Sequence, residues 1–468
     1  MFLHNLIFSH ARARPSAVAI IEADRGGNRV TYAELAGRVK DMARELSDRG
    51  FGKGDRLGIL SKNSIGFVEA FFAASCAGGI AVPLNYTLPA LEIIGITRHA
   101  GISILYTEKG IEEKNVSGIG KTGIAAIIYT SGTTAKPMGV MLSHKNLVSN
   151  AGSIAAYTHL KPADSMLCTL PFYYIYGLSL LLSHFFAGGT IVLDNRFMYP
   201  ARVLDSIERF KTTGFAGVSS HYSILLDRTD FKKRRLASLM YFMQAGDKMP
   251  PALARELRNA FPRKKIYLMY GQTEASPRLS YLDPCLVKTK PGSVGKAVPG
   301  VRIKVVDESG RECAAGEEGE IIAHGNNIMS GYWKNRRQTK KVLRNGWLHT
   351  GDIAYKDRDG DLFLIGRKKG FIKVGGRKVN PDKVAGVILA HPDILETAVV
   401  GVPDRLTGSR IRAFVVPRKG RKIKKSDIIR LCKIDLPTYG VPSDIAIVTS
   451  IPRNALGKID RERLVGLR

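Results

Sequence analysis

The chain has 468 residues, 44% apolar and 24% charged, and its 71 Lys and Arg against 41 Asp and Glu give a formal net charge of +30. That length suits two or three domains around a large core, and the composition is that of an ordinary soluble globular protein. Five scattered cysteines (Cys76, Cys168, Cys285, Cys313, Cys432) form no CxxC pair, which argues against a zinc site and a disulfide framework and for a reduced, cytoplasmic compartment.

The N-terminal stretch MFLHNLIFSHARARP has no charged region ahead of its apolar run. It lacks the order of a secretory signal, while its arginines leave a transit peptide open. AVAIIEA reads as a strand. In TYAELAGRVKDMARELSDRG, Thr31 and Glu34 form a capping box, Leu35, Val39, Met42 and Leu46 follow at helical spacing, and Gly50 ends the helix. DRLGILS is a strand, SIGFVEAFFAASCAGG a helix and IAVPLN another strand. Strand–helix–strand repetition predicts a largely parallel sheet covered by helices.

AAIIYT is a further strand, and the segment YTSGTTAKPMGVMLSH (residues 129–144) follows from its end. Thr130, Ser131, Thr133 and Thr134 supply hydroxyls, Gly132 permits close backbone approach and Lys136 supplies charge, as a phosphate cradle requires. Read alone, the segment fits an ordinary Ser/Thr/Gly turn equally well. It is not the GxxxxGK[ST] pattern, so the mechanics of P-loop enzymes do not follow. Ser143 caps the next helix, whose apolar face is Leu147, Val148, Ala151 and Ile154. YIYGLSLLLSHFFAGG is the longest apolar stretch near a glycine-rich turn, too short and interrupted to span a bilayer. TIVLD, LDSIERFKTTG, FAGVSS, LMYFMQAG, PALARELRNAFP and IYLMYG continue the alternation.

After Pro291 the character changes. VRIKVVDESGRE, GEIIAHG and DGDLFLIG read as short antiparallel strands, with Asp359-Gly360 as a hairpin turn. A domain boundary is expected at 366–370, where GRKKG is charged and glycine-flanked. Beyond it, AVVGVP, IRAFVVP and SDIIRLCKI suggest a small α+β domain. Residues 367–468 hold 23 basic against 9 acidic residues, centred on PRKGRKIKKSD. A solvated surface, anionic substrates, nucleic acid and an acidic partner would each account for this charge. No aromatic interleaving or zinc-finger spacing accompanies it, so nucleic acid is not expected.

Four further segments follow the loop in fixed order: MYGQTEA (269–275), GWLHTGD (346–352), GRKKGFIKVGGRKVNP (366–381) and PRNALGK (452–458). With these five motifs the chain resembles the acyl-adenylate-forming superfamily of acyl- and aryl-CoA synthetases, peptide-synthetase adenylation domains and firefly luciferase. The resemblance runs from VTYAELAGRV to GKIDRERL. It implies an α/β fold: a large N-terminal adenylation domain (1–366) of parallel-rich sheets with helices and a small β-barrel, then a small mobile α+β domain (367–468) hinged near Lys369. It also implies a reaction, in which a carboxylate attacks the α-phosphate of ATP and a thiol, usually of CoA, then attacks the acyl carbon.

Carried over position by position, the resemblance implies that Thr130 to Gly139, including Ser131, Gly132, Thr133, Thr134 and Lys136, hold the β- and γ-phosphates. Glu274 holds Mg2+. Tyr270, Gly271, Gln272 and Thr273 border the adenine and α-phosphate, and Gly246 lies along the adenine. Asp352 and Arg367 hold the ribose, and Lys458 reaches the α-phosphate and the carboxylate. Lys373 and Gly376 belong to the loop that admits the pantetheine arm. Thr130, Glu274 and Lys458 form the implied catalytic set, and ATP, Mg2+ and CoA the implied ligands.

The chain departs from the family pattern at several points. Met138 replaces a lysine and Ala135 a glycine in the phosphate loop. Lys383 and Ala385 replace acidic residues, and Tyr174 stands where many CoA synthetases have histidine. The aspartate with which amino-acid-specific domains hold an amino group is missing, which disfavours an amino-acid substrate. Phe172, Tyr173 and Tyr176 either line an acyl pocket or pack in the core. The expected substrate is a fatty or aromatic acid. The expected acceptor is CoA, with an acidic acyl carrier protein or a non-catalytic nucleotide-binding scaffold as the alternatives.

Overall fold

The structure is a computed structural model, and it describes residues 1–113, 123–130, 138–368, 370–453 and 459–467. Its largest sheet has fourteen strands. At its centre Val18–Glu22, Thr190–Leu193, Ser165–Cys168, Gly214–Gly217, Tyr241–Gln244 and Lys265–Gly271 lie side by side, every neighbouring pair parallel. These strands are short, almost wholly apolar and buried along their length, as strands covered on both faces must be.

A second sheet of seven strands carries a parallel centre of Ile80–Pro83, Arg56–Leu60 and Ile104–Thr107. Helices Tyr32–Asp48, Ile65–Cys76, His144–Thr158 and Ile175–Ala187 share one core with strands of both sheets, and Phe67, Phe71, Phe72 and Phe185 are fully buried in it. The capping box at Thr31 and Glu34 is formed, and Ser143 caps its helix with Asn146 as the reciprocal partner.

Beyond Lys265–Gly271 the first sheet turns antiparallel through Arg278–Leu282, Ser293–Ala297, Leu362–Arg367, Trp347–Lys356, Gly319–Gly325 and Val301–Val306. This is the region expected to close as a small barrel, and it does not close. Val301–Val306 is left as an edge. Along it Arg302 and Lys304 alternate outward, and charged side chains on an edge oppose further pairing. A second difference lies after the phosphate loop. The sequence reading runs from loop straight to helix, whereas the structure interposes the strand Met138–Ser143, paired antiparallel to Ile124–Thr130. Thr130 and Met138 face each other across that pair.

The last hundred residues form separate sheets, a hairpin of Ile372–Val374 with Arg377–Val379 and a three-stranded sheet of Ile394–Asp404, Gly408–Pro417 and Asp444–Ile447. Their apolar residues make their own core around Val384, Ile388, Val415 and Ile428. No helix among the described residues is long and apolar enough to cross a membrane.

Candidate active site

Four motifs meet where the two large sheets approach each other. Thr130 ends its strand opposite Met138, so the segment carrying the expected phosphate cradle begins there. The exit strand pairs on its other side with Gly331–Tyr332, and Trp333 N–H donates to the Gly139 carbonyl at 2.7 Å. The Tyr332 hydroxyl then donates to Glu274 Oε1 at 2.7 Å. Glu274 lies in the short turn Thr273–Ala275, and its own carbonyl accepts from Met329 N–H at 2.9 Å. A strand pairing and two hydrogen bonds thus tie Glu274 to the base of the hairpin. Among the described residues its other carboxylate oxygen takes no hydrogen bond. A half-buried, hard oxygen beside a phosphate loop fits Mg2+.

The second group centres on Asp352. The Tyr270 hydroxyl donates to Asp352 Oδ2 at 2.6 Å, and Arg367 Nε pairs with Asp352 Oδ1 at 2.7 Å. Three strands deliver these residues: Tyr270 closes Lys265–Gly271, and Asp352 and Arg367 face each other in register across the β-ladder of Trp347–Lys356 and Leu362–Arg367. Burial works against the Arg367 charge, but Asp352 first, then Tyr270, Glu274 and Tyr332, act on it strongly enough to raise its pKa above the ordinary value. Arg367 therefore links the Asp352 group to Glu274 electrostatically. Burial, then Asp352, holds the Tyr270 phenol protonated far above its usual range.

Gly271 has a steric reason to be glycine, since a Cβ there would come within 1.9 Å of the Pro277 carbonyl oxygen. Gln272 N–H donates to that same oxygen at 2.9 Å, and Gln272 and Thr273 are half-exposed. Gly246 has φ +96°, a conformation glycine adopts freely, and a Cβ on it would approach Val218 and Tyr176. Tyr176 is buried, with its hydroxyl donating to the Met243 carbonyl at 3.0 Å. Phe172 is fully buried against Phe67, the core role rather than the pocket role.

Ser131, Gly132, Thr133, Thr134, Ala135, Lys136, Lys369 and Lys458 lie outside the described residues. Lys373 and Gly376 are exposed at the hairpin near its two-glycine turn, where Gly375 and Gly376 have φ +54° and +79°. Neither makes a hydrogen bond or ion pair with the Tyr270–Asp352–Arg367 group among the described residues. The small domain touches the large one elsewhere: Asn380 Nδ2 donates to Ile365 O at 2.7 Å, and Arg418 pairs with Asp227 and Glu256.

Sequence reasoning missed Tyr332, Asn327, Thr350 and Arg278. Thr350 orients Asp352 by accepting from its N–H at 3.1 Å. It lay inside a motif already singled out and was legible in principle. Asn327 sits in a loop and Tyr332 in a two-residue strand, both too short for a periodic signal, so only the fold assigns them a partner.

A model described as AMP-binding enzyme matches residues 7–122 and 113–333, and one described as AMP-binding enzyme C-terminal domain matches residues 383–458. The chain is 31% identical over 475 residues to a feruloyl-CoA synthase of an Amycolatopsis species, covering 96% of this chain and 95% of that protein. It is 31% identical over 488 residues to a 2-succinylbenzoate–CoA ligase of Bacillus subtilis (strain 168), covering 99% and 98%. Among solved structures, o-succinylbenzoate CoA synthetase from Bacillus subtilis in complex with its acyl-adenylate intermediate superposes with a TM-score of 0.88 at 30% identity, covering 99% of this chain and 98% of that one. An anthranilate CoA ligase in complex with anthranoyl-AMP gives 0.90 at 25% identity, covering 100% and 97%.

Proposed function

The chain belongs to the AMP-binding enzyme family, as an AMP-forming carboxylate–CoA ligase, and from that premise we propose that its acid is aromatic and that the residues described above divide the adenylate between them. The feruloyl, succinylbenzoate and anthranilate ligases among its relatives favour an aromatic over a fatty acid. In the first step a carboxylate oxygen bonds to the α-phosphorus of ATP while the α–β bridging bond breaks and pyrophosphate leaves. In the second, the CoA sulfur bonds to the acyl carbon and AMP leaves.

Asp352, fixed from both sides by Tyr270 and Arg367, presents carboxylate oxygens suited to accept the two ribose hydroxyls. Glu274 would hold Mg2+, which would supply positive charge to the phosphates. The segment that follows Thr130, with its hydroxyls and Lys136, holds the β- and γ-phosphates. Gly246 leaves room for the adenine face. Lys458 belongs to a motif on the small domain and supplies the charge that contacts the α-phosphate and the carboxylate.

The small domain begins at 367 and turns about Lys369, exchanging the Lys458 segment for the Gly376 turn between the two steps. Its described contacts with the large domain support this reading: they include polar bonds and partly exposed ion pairs such as those of Arg418, worth about 0–1 kcal/mol each. CoA is the acceptor its relatives name, and the carrier-protein reading rests on charge alone. The scaffold reading has against it that Tyr270, Glu274, Asp352 and Arg367 are all present and mutually bonded or electrostatically linked.

The hydrogen-bonded Tyr270–Asp352–Arg367 group beside Glu274 carries this assignment. Incubation with ATP, Mg2+, CoA and a panel of aromatic and aliphatic acids, followed by mass spectrometry, tests it. AMP and aryl-CoA thioesters are expected. Thioesters from aliphatic acids alone would overturn the aromatic assignment.

A further inference from the structure

The large domain buries a cation that no described carboxylate neutralises. Arg278 opens the strand Arg278–Leu282, directly across the ladder from Gly271 of the YGQTE motif. It is 1% exposed, and its Nε and Nη2 have no hydrogen-bond partner among the described residues. No carboxylate pairs with it there. Its backbone, by contrast, is held firmly: Asn150 accepts from its N–H at 3.3 Å and donates to its carbonyl at 3.1 Å, and Asn327 donates to the same carbonyl at 2.9 Å. Asn150 and Asn327 are themselves buried. The fold thus spends two buried amides on placing one arginine.

The guanidinium carbon lies 4.7 Å over the ring of Tyr176. Tyr176 is also the side chain that a Cβ at Gly246 would approach, at 3.9 Å. The cation therefore packs on an aromatic ring whose other neighbour is Gly246, the glycine expected along the adenine. A cation–π contact and a hydrogen bond to Tyr157 offset part of the cost of burying a guanidinium, but they leave Nε and Nη2 unsatisfied. A planar, forked donor set held rigidly in a low-dielectric place is suited to a carboxylate. The triphosphate is not the candidate, because its cradle begins at Thr130 on the other sheet.

We propose that Arg278 binds a second carboxylate, at the far end of the acid that the enzyme activates, so that the preferred substrates are dicarboxylic aromatic acids. This rests on the adenylation reading above. Arg278 is then a specificity-determining residue: it contacts substrate without touching the reacting atoms.

The test is ATP–pyrophosphate exchange by the full chain with matched acids that differ only in the second carboxylate. Suitable pairs are 2-succinylbenzoate against 4-oxo-4-phenylbutanoate, and 4-carboxycinnamate against cinnamate. The expected wild-type ratio of kcat/KM, diacid over monoacid, is about 10²-fold or more, since a site built around a buried polar group rejects an analogue that leaves it unpaired. In Arg278→Met that ratio should collapse to near one, and Arg278→Lys should retain part of it. A purely structural role would lower both members of a pair alike and leave the ratio unmoved. If the methionine variant does not fold, the wild-type ratio and the lysine variant decide. A wild-type ratio near one, turnover of monoacids alone, or a ratio unchanged in the variants overturns the proposal while leaving adenylation intact. Absence of exchange with every acid refutes the adenylation reading itself, and this proposal with it.

Discussion

Asp352 is held by two side chains from two different strands, and that double hold is what fixes its oxygens in space. Removing the Tyr270 hydroxyl in Tyr270→Phe leaves one partner of a buried carboxylate missing, a loss of about 1–3 kcal/mol, or roughly 5–100-fold in rate. The loss should appear in kcat/KM for ATP in acid-dependent exchange, with the fold intact by circular dichroism. Wild-type kinetics would mean that Asp352 is not at the nucleotide. Lys458→Ala should lower acyl-adenylate formation by about 10²–10³-fold while thioester formation from supplied acyl-AMP persists. Equal loss in both half-reactions would remove Lys458 from the role given to it. Most of these residues were legible as motifs, because Asp352, Glu274 and Arg367 each sit among glycines, threonines or charges that mark a turn. Arg278 and Tyr332 were not, since an arginine or a tyrosine in a short segment without a clear period carries no sign of what it faces. Met138 was read as a lysine lost from the phosphates. The structure gives it an apolar occupation as well, for it packs against the main core at the foot of the hairpin.

Among elements, the helices were the most legible, because caps and 3.6-residue spacing are local signals: Thr31, Ser64 and Ser143 each cap the helix that follows. The strand Met138–Ser143 was not legible, since six residues after a glycine-rich loop carry no distinct period, and its identity depends on pairing with Ile124–Thr130. Barrel closure depended likewise on which strand finds which edge. The Gly375–Gly376 turn has positive φ at both residues, and a Cβ on either would meet no described atom within 4 Å. Gly376→Leu therefore costs about 1–2 kcal/mol of local backbone strain without a clash. Adenylation should persist and transfer to CoA should fall, as single-turnover measurements of the two half-reactions would show; transfer at the wild-type rate would exclude this turn from the thiol path. The helix Ile175–Ala187 carries a different liability. Its His184 is fully buried, with Nδ1 2.8 Å from the Leu180 carbonyl and Nε2 3.2 Å from the Tyr241 hydroxyl. Burial lowers its pKa from 6.5 to about 4. Between those values the unfolded chain takes up a proton that the folded chain refuses, so stability falls as pH falls, by about 1.4 kcal/mol per pH unit. Thermal melts at pH 7.5 and 5.5 should show a smaller loss in His184→Gln than in the wild type. Equal losses would assign the acid sensitivity elsewhere.

At the scale of the molecule, two sheets and a small domain bring together residues from 130 to 367 that no local signal could have joined. The sequence indicated the order of the motifs, and their meeting is a property of the topology: the hairpin on one sheet reaches Glu274 on the other through Tyr332. The +30 charge is a whole-molecule feature too. Part of the basic excess of the small domain is committed to docking and local pairing, with Arg418 on Asp227 and Glu256 and Arg421 on Asp393. Lys419, Lys422, Lys424 and Lys425 remain exposed, a field that draws anionic ligands and weakens with salt. The central claim is that this assembly activates a carboxylic acid as its adenylate before any thiol takes part. Isotope exchange between labelled pyrophosphate and ATP, run without CoA, isolates that step. Exchange should depend on both Mg2+ and an aromatic acid. Exchange that requires CoA, or release of ADP and phosphate in place of AMP and pyrophosphate, would contradict that claim.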